Sequence, residues 1–451
     1  MNRKNNKSIS LRCIITWMSR KHSTNKTITT IKDLLSRPSF CVLFASLFYA
    51  IRSIKYIIKP QLYAEDGAVW LADGFNLGIK SLFIPLNGFS HLFERLFGLM
   101  VAQLPLYWAP ILFNLTGLLI FAITTFYLYS PRTKILTTNF ERIFVLVSLC
   151  LIANVDEFFF NFSNSVFLLG IVGMLLIVAK APKNKIVDKL EKLLFVILCL
   201  TLPFAWIYIA ILLYRHFRYH KKQAFLLASA GVGSIIQLFV YLNRDDAKQS
   251  VNTLALLSRD TVIEVYNQII APSMVFARLD ISPDVQLSIK KVVFLVIVYS
   301  ICLMATFVVF RKSNHQTKLF ILFCIGMTLA SLKSPLTDLT SSKEIVNYMA
   351  NVQFGDRYFI YGIICLSIIF AKFLNIYLPK RLLSFALVTF AILGLASSII
   401  NNSFWIQKNL QDYRKEYQNG VNKLNSPNNS SDIIIPTNPN NNIIIFRNKP
   451  G

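Results

Sequence analysis

Charge is scarce in this chain, and negative charge scarcest. Charged residues make up 15% of the 451, and 22 Asp and Glu face 47 Lys and Arg. Set against 54% hydrophobic and 13% aromatic residues and a mean hydropathy of +0.51, this excludes an ordinary soluble globular protein. No Gly-rich phosphate loop, HExxH helix or GxSxG elbow occurs, which removes the usual machinery of nucleotide-driven pumps, metalloproteases and serine hydrolases. Cysteine is missing from every loop expected outside the membrane. Cys13 lies in the basic N-terminal tail, whereas Cys41, Cys150, Cys199, Cys302, Cys324 and Cys365 fall inside apolar runs, so neither a disulfide framework nor metal-type spacing is expected. The net charge of +25 is dispersed between apolar runs instead of forming one basic face. It reads as topogenic charge beside anionic lipid, with no nucleic-acid partner.

What the chain does have is a series of apolar runs, at 39–58, 106–129, 143–155, 165–179, 193–214, 224–242, 292–310, 319–332, 358–374 and 382–400. Several fall short of the roughly 20 residues a perpendicular span needs, which tilt and snorkelling end charges accommodate. Residues 1–38 carry Arg3, Lys4, Lys7, Arg12, Arg20, Lys21, Lys26, Lys32 and Arg37, too long and basic for a signal peptide, which places the N-terminus in the cytoplasm. Splitting 193–214 at Leu202-Pro203 into a tight hairpin of two short helices puts the basic segments 180–192, 215–222, 311–318 and 372–381 all inside.

The expected fold class is therefore all-α: a polytopic transmembrane helical bundle of about eleven spans. A cytoplasmic tail (1–38) precedes the membrane domain (39–400), whose outer loops are 59–105, 243–290 and 333–357, and an extracytoplasmic tail (401–451) follows. Long tails obey the charge rule weakly, so the mildly basic last segment is tolerated outside. Helical spacing of Ala68, Leu71, Ala72 and Phe75, and of Leu92, Phe93, Leu96, Phe97 and Met100, predicts interfacial helices in the first loop. The run Ile433-Ile434-Ile435, a Pro- and Asn-rich turn, and Ile443 to Phe446 predict a small C-terminal hairpin.

Chemistry is expected where the scarce acids meet lipid. Glu65 and Asp66 lie just past the first apolar run, where desolvation is costly without water or a partner, and Gly67 permits a sharp turn that aims the Asp66 carboxylate toward a cavity. A solvated turn, with Asp73 as a helix companion, is the plainer alternative. In "NGFSHLFERLFG", His91, Glu94 and Arg95 share a helix face or its edge. Arg95 either pairs with Glu94 or reaches a phosphate. His91, without further His or Cys, is a hydrogen-bonded residue before it is a metal ligand. In "GDRY", Arg357 suits bidentate phosphate binding where a late span re-enters the membrane; Asp356 either neutralises it or joins Tyr358 at the substrate. Asp156 and Glu157 mark another outer boundary, with Asn161 and Asn164 offering amides to hydroxyls; half-exposed interfacial charge is the bland reading. Around Glu264, Tyr266, Asn267, Arg278 and Asp280, the apolar stretch from Ile269 to Ala277 suits lipid or a bound isoprenoid.

These residues resemble a family, the polytopic GT-C glycosyltransferases, and within it the serotype-converting glucosyltransferases that decorate O-antigen in Gram-negative bacteria and their phages. "YAEDGAVW" resembles the acidic first outer loop, "IPLNGFSHLFERLFGLMVAQLP" the Arg-bearing helix after it, "FGDRYF" the late Arg-Tyr element and "DIIIPTNP" the C-terminal outer segment. Phe89 and Asn442 depart from the pattern, standing where a Tyr and a Trp are expected. The resemblance implies that Asp66 is the general base or acceptor-orienting carboxylate, supported by Glu65. Arg95 and Arg357 then hold the donor phosphate, and His91, Glu94, Asp156, Asn161, Asn164, Asp356 and Tyr358 are the remaining candidate acceptor or substrate contacts. It implies a polyprenyl-phosphate sugar donor, a lipid-linked polysaccharide acceptor, membrane lipids as surroundings and a bacterial inner-membrane location. No metal ligand set is expected, although a divalent cation is left open as a cofactor. A glycan polymerase or ligase, and a lipid-linked sugar transporter or flippase, are the rival readings; the crowding of candidate charges at the outer boundary instead of the bilayer midplane counts against transport.

Overall fold

The computed structural model describes residues 37–151, 161–201, 203–219, 223–243, 259–274, 288–333, 359–400, 411–426, 431–438 and 442–447. Among these, helix dominates, as apolar runs rich in Leu, Ile and Phe dictate where every backbone polar group must find a partner within its own segment. Among the described residues, five helices are long and apolar enough to cross a membrane: Leu106–Tyr129, Ala224–Leu242, Ile289–Lys312, His315–Leu332 and Ile360–Tyr377. Pro38–Arg52 and Phe162–Val178 are apolar but shorter. The chain is thus a helical membrane protein.

In chain order the helices are α1 (Pro38–Arg52), α2 (Ile54–Ile58), a π-helix (Asp66–Leu71) running into α3 (Ala72–Leu77), a 3-10 turn (Gly78–Phe83), α4 (Leu92–Ala102), α5 (Ala109–Tyr129), α6 (Asn139–Leu151) and α7 (Phe162–Val178). Then come α8 (Lys185–Cys199), α9 (Phe204–Tyr219), α10 (Ala224–Leu242), α11 (Arg259–Val265), a second π-helix (Tyr266–Ile270), α12 (Ala271–Met274), α13 (Ile289–Lys312), α14 (His315–Lys333), α15 (Ile360–Tyr377), α16 (Lys380–Ile400) and α17 (Arg414–Leu424).

The centre of the bundle is α7. It is apolar on every face and buries every side chain but that of Ser163, as a helix without a polar face must. Two tyrosines from other helices close on its backbone: Tyr208 Oη donates to Gly170 O and Tyr361 Oη to Phe167 O, each at 2.8 Å. A Cβ at position 173 would sit 2.2 Å from Tyr208 Oη, so glycine there is a packing requirement.

The run 193–214 breaks where Pro203 was expected to break it, between α8 and α9. Phe195 packs at a tilt against Tyr208 with ring centroids 5.4 Å apart, so the chain doubles back at the break. That tip caps α4. The first N–H groups of a helix have no partner within it; here Leu92 N donates to Leu200 O at 3.1 Å and Phe93 N to Thr201 Oγ1 at 3.1 Å. Gln237, wholly buried on α10, completes the clamp by accepting from Ser90 N at 3.1 Å and donating to Ser90 Oγ at 3.0 Å.

The expected C-terminal hairpin forms as β1 (Ile433–Thr437) and β2 (Asn442–Phe446), antiparallel with Ile433 opposite Phe446 and Thr437 opposite Asn442. Its inward face carries Ile433, Ile435, Ile444 and Phe446, while Ile434 points out, the period of two that a half-buried strand pair needs. Hairpin and α17 make a C-terminal lobe seated on the first loop. Phe446 meets Phe75 edge-on at 5.0 Å.

One expectation is corrected. The apolar stretch beginning at Ile269 does not face lipid: Tyr266, Ile269, Ile270 and Ala271 are buried, and Ile269 packs so closely on α15 that a Cβ at Gly362 would meet it at 2.8 Å. Residues 275–277 lie outside the described residues.

Candidate functional site

Ala64 sets the site's geometry. Its φ of +44° is left-handed, uncommon for a residue with a Cβ, and turns the chain sharply into Glu65 and Asp66. The strain is held by the C-terminal lobe, because Ala64 N donates to Asn438 O and Thr437 Oγ1 donates to Leu62 O at 2.8 Å. Asn438 Nδ2 also donates to Gln61 Oε1 at 3.1 Å and to Gln411 O at 2.8 Å. The "YAEDG" and "IPTNP" segments, some 370 residues apart, are therefore one bonded unit.

Asp66 is fully buried, and its carboxylate faces the N-terminus of α7 instead of the open cavity expected from Gly67. It accepts from Phe162 N at 3.2 Å, from Ser163 N at 2.9 Å and from Ser163 Oγ at 2.5 Å. Negative charge is favoured at a helix N-terminus, where unpaired N–H groups converge. Burial acts the other way and pushes the carboxyl up to about 7, with the neighbouring Glu65 charge adding to the rise while the Ser163 and Phe162 donors hold it back. A carboxylate poised near neutrality is suited to taking and releasing a proton. Glu65 is half-buried beside it.

From Asp66 the contacts run through Trp70. Its indole Nε1 donates to Ser163 Oγ at 2.8 Å, its ring lies 5.3 Å from that of His91, and the Arg95 guanidinium sits 4.9 Å from the ring centroid. This closeness depends on glycine. A Cβ at Gly98 would lie 2.3 Å from Trp70 O, and one at Gly74 would lie 2.7 Å from Gly98 O, so backbone touches backbone between α4 and the π-helix with α3.

The pairing on α4 differs from the Glu94–Arg95 contact that the sequence allowed. Glu94 Oε1 binds His91 Nδ1 at 2.8 Å, not Arg95, and Arg95 forms an ion pair with Asp73. Arg95 is only 2% exposed, so it is not a free surface arginine. His91 is held at φ +51°. Among the described residues, His91 Nε2, Glu94 Oε2 and Arg95 Nε are buried with no hydrogen-bond partner, as is Asn161 Nδ2. Such atoms are costly to leave unpaired in a buried site.

Asn161 caps α7, its Oδ1 accepting from Asn164 N at 3.3 Å, and Asn164 is buried in the first turn. Asp156, Asp356, Arg357 and Tyr358 lie outside the described residues. Asp73, Trp70 and Ser163 are the site residues that sequence reasoning missed as partners. Asp73 reads in the sequence as a helix companion, and no local spacing marks it as the partner of Arg95, 22 residues on. Among the described residues no group of three or more His, Cys, Asp or Glu stands close enough to hold a metal ion. Comparison with protein-family models, with curated proteins and with solved structures finds no match to this chain.

Proposed function

We propose that the protein is a GT-C-type glycosyltransferase that moves a hexose, glucose first, from a polyprenyl-phosphate carrier to a lipid-linked cell-surface polysaccharide precursor on the extracytoplasmic side of a bacterial inner membrane. The observation that carries this reading is the Asp66 carboxyl, pushed to about 7 and linked through Ser163 and Trp70 to a cluster of unsatisfied His91, Glu94 and Arg95 atoms. In the transfer, the acceptor hydroxyl gives its proton to the Asp66 carboxylate as its oxygen bonds the anomeric carbon. The bond from that carbon to the phosphate oxygen breaks, and its electron pair leaves with polyprenyl phosphate. Ser163, whose Oγ donates to Asp66 Oδ1, is half-buried, so the buried carboxylate has a partly exposed neighbour.

Arg95 supplies positive charge to the departing phosphate through its unpartnered Nε, while Asp73 and Trp70 hold the guanidinium plane in place. Arg357 is assigned the same duty on the sequence resemblance alone. Reconstituting the protein in liposomes with labelled polyprenyl-phosphate glucose and an acceptor glycolipid tests the reading. Label joined covalently to the acceptor is the expected result; label that crosses the bilayer unjoined makes the protein a transporter and ends the proposal.

A further inference from the structure

A cavity of about 230 Å³ opens at the seam between the C-terminal lobe and the first loop. Tyr107, Tyr413, Gln61 and Gln418 line it beside aliphatic and proline side chains, with Arg414 at one side. Aromatic rings offer apolar faces to the C–H side of a sugar, and carboxamides both donate to and accept from hydroxyls. Among the described residues no carboxylate lines it. Arg414, the one cation among the described lining residues, spends Nε and Nη2 on Asp412 at 2.7 and 2.6 Å, which compensates its charge toward an anionic headgroup. The volume lies below the roughly 300–1,000 Å³ of pockets that enclose drug-sized ligands, which suits one or two sugar rings and not an isoprenoid chain.

Position ties the cavity to the chemistry. Leu62 and Ile444 line it, and the same two side chains press on Gly67, where a Cβ would meet Ile444 Cδ1 at 2.7 Å and Leu62 Cβ at 3.2 Å. The cavity is thus one side chain's thickness from the backbone that carries Asp66. We propose that it binds a neutral sugar unit of the acceptor glycan, flanking the unit that receives the hexose, so that the C-terminal lobe reads the acceptor while the buried cluster performs the transfer. The proposal rests on the glycosyl-transfer reading for the identity of its ligand, and its test reads binding alone.

The probe is neutral polysaccharide of two to four repeat units, freed from lipopolysaccharide by mild acid and offered to the full-length protein in nanodiscs. Saturation-transfer NMR reads its affinity. Tyr107 is 48% exposed and Gln418 is exposed, so Tyr107→Ala removes a stacking face and Gln418→Trp fills the cavity with little demand on the core. Both variants are expected to weaken fragment binding about tenfold or more, equivalent to about 1.4 kcal/mol. Fragments that bind both cavity variants as tightly as wild type, or that fail to bind wild type, overturn the proposal. So does displacement by short-chain phosphatidylglycerol, which makes the cavity a lipid-headgroup site. Fragment binding lost in the cavity variants, in a protein that transfers no sugar, supports the cavity and ends the glycosyltransferase reading separately.

Discussion

At the scale of single residues, Asp66 is pulled in two directions, and the balance is measurable. Burial holds its proton to about pH 7 in the folded protein, whereas the unfolded chain releases it near 3.8. Between these values the native state binds the extra proton, so the stabilisation is complete below about pH 4 and is lost as pH rises through 7. Thermal unfolding in detergent across pH 4 to 8 should show this loss in the wild type and a flatter profile in Asp66→Asn; parallel profiles would count against a protonated Asp66. Because the base form is required, transfer should rise with pH across the same inflection. That an acid after the first apolar run needs partners was legible from the cost of placing charge beside lipid. Its partners were not, because Ser163 lies 97 residues away and spacing along one segment carries no information about the helix N-terminus that meets it. Arg95 shows the same limit: the helix face was readable, the choice of Asp73 over Glu94 was not.

At the scale of elements, breaks and strands were more legible than the docking between them. Pro203 announced the turn between α8 and α9, and alternating isoleucines around a Pro- and Asn-rich turn announced the hairpin. Nothing local indicated that the α8–α9 tip caps α4, or that Asn438 ties the hairpin lobe to Gln61 and Gln411. Asn438→Ala removes three side-chain hydrogen bonds from a buried junction, including the one Gln411 N donates to Asn438 Oδ1. The expected cost is about 1–3 kcal/mol. Hydrogen exchange should report it as faster labelling of 61–66 and 433–446, with α7 unaffected; uniform protection would show that the lobe is held by its apolar face alone.

At the scale of the whole molecule, composition declared a membrane protein, and charge bias set an orientation that helix lengths alone do not test. The bundle also holds an internal ion pair that no periodicity marked: Lys372 Nζ on α15 binds Glu141 Oε2 on α6 at 3.0 Å, with Asn375 Nδ2 donating to Glu141 Oε1 at 3.2 Å. Removing one partner strands a buried charge, so Lys372→Ala should cost about 3–5 kcal/mol, while the double replacement Lys372→Met with Glu141→Leu should cost much less. Unfolding midpoints in detergent compare the two. The account's central claim, that a buried aspartate drives sugar transfer, is tested most directly by single-turnover transfer of labelled glucose from polyprenyl phosphate by Asp66→Asn, in liposomes containing correctly inserted protein. A fall of about 10²–10⁴-fold, the range general-base loss produces, with donor binding retained, is the predicted result; transfer at the wild-type rate would contradict it.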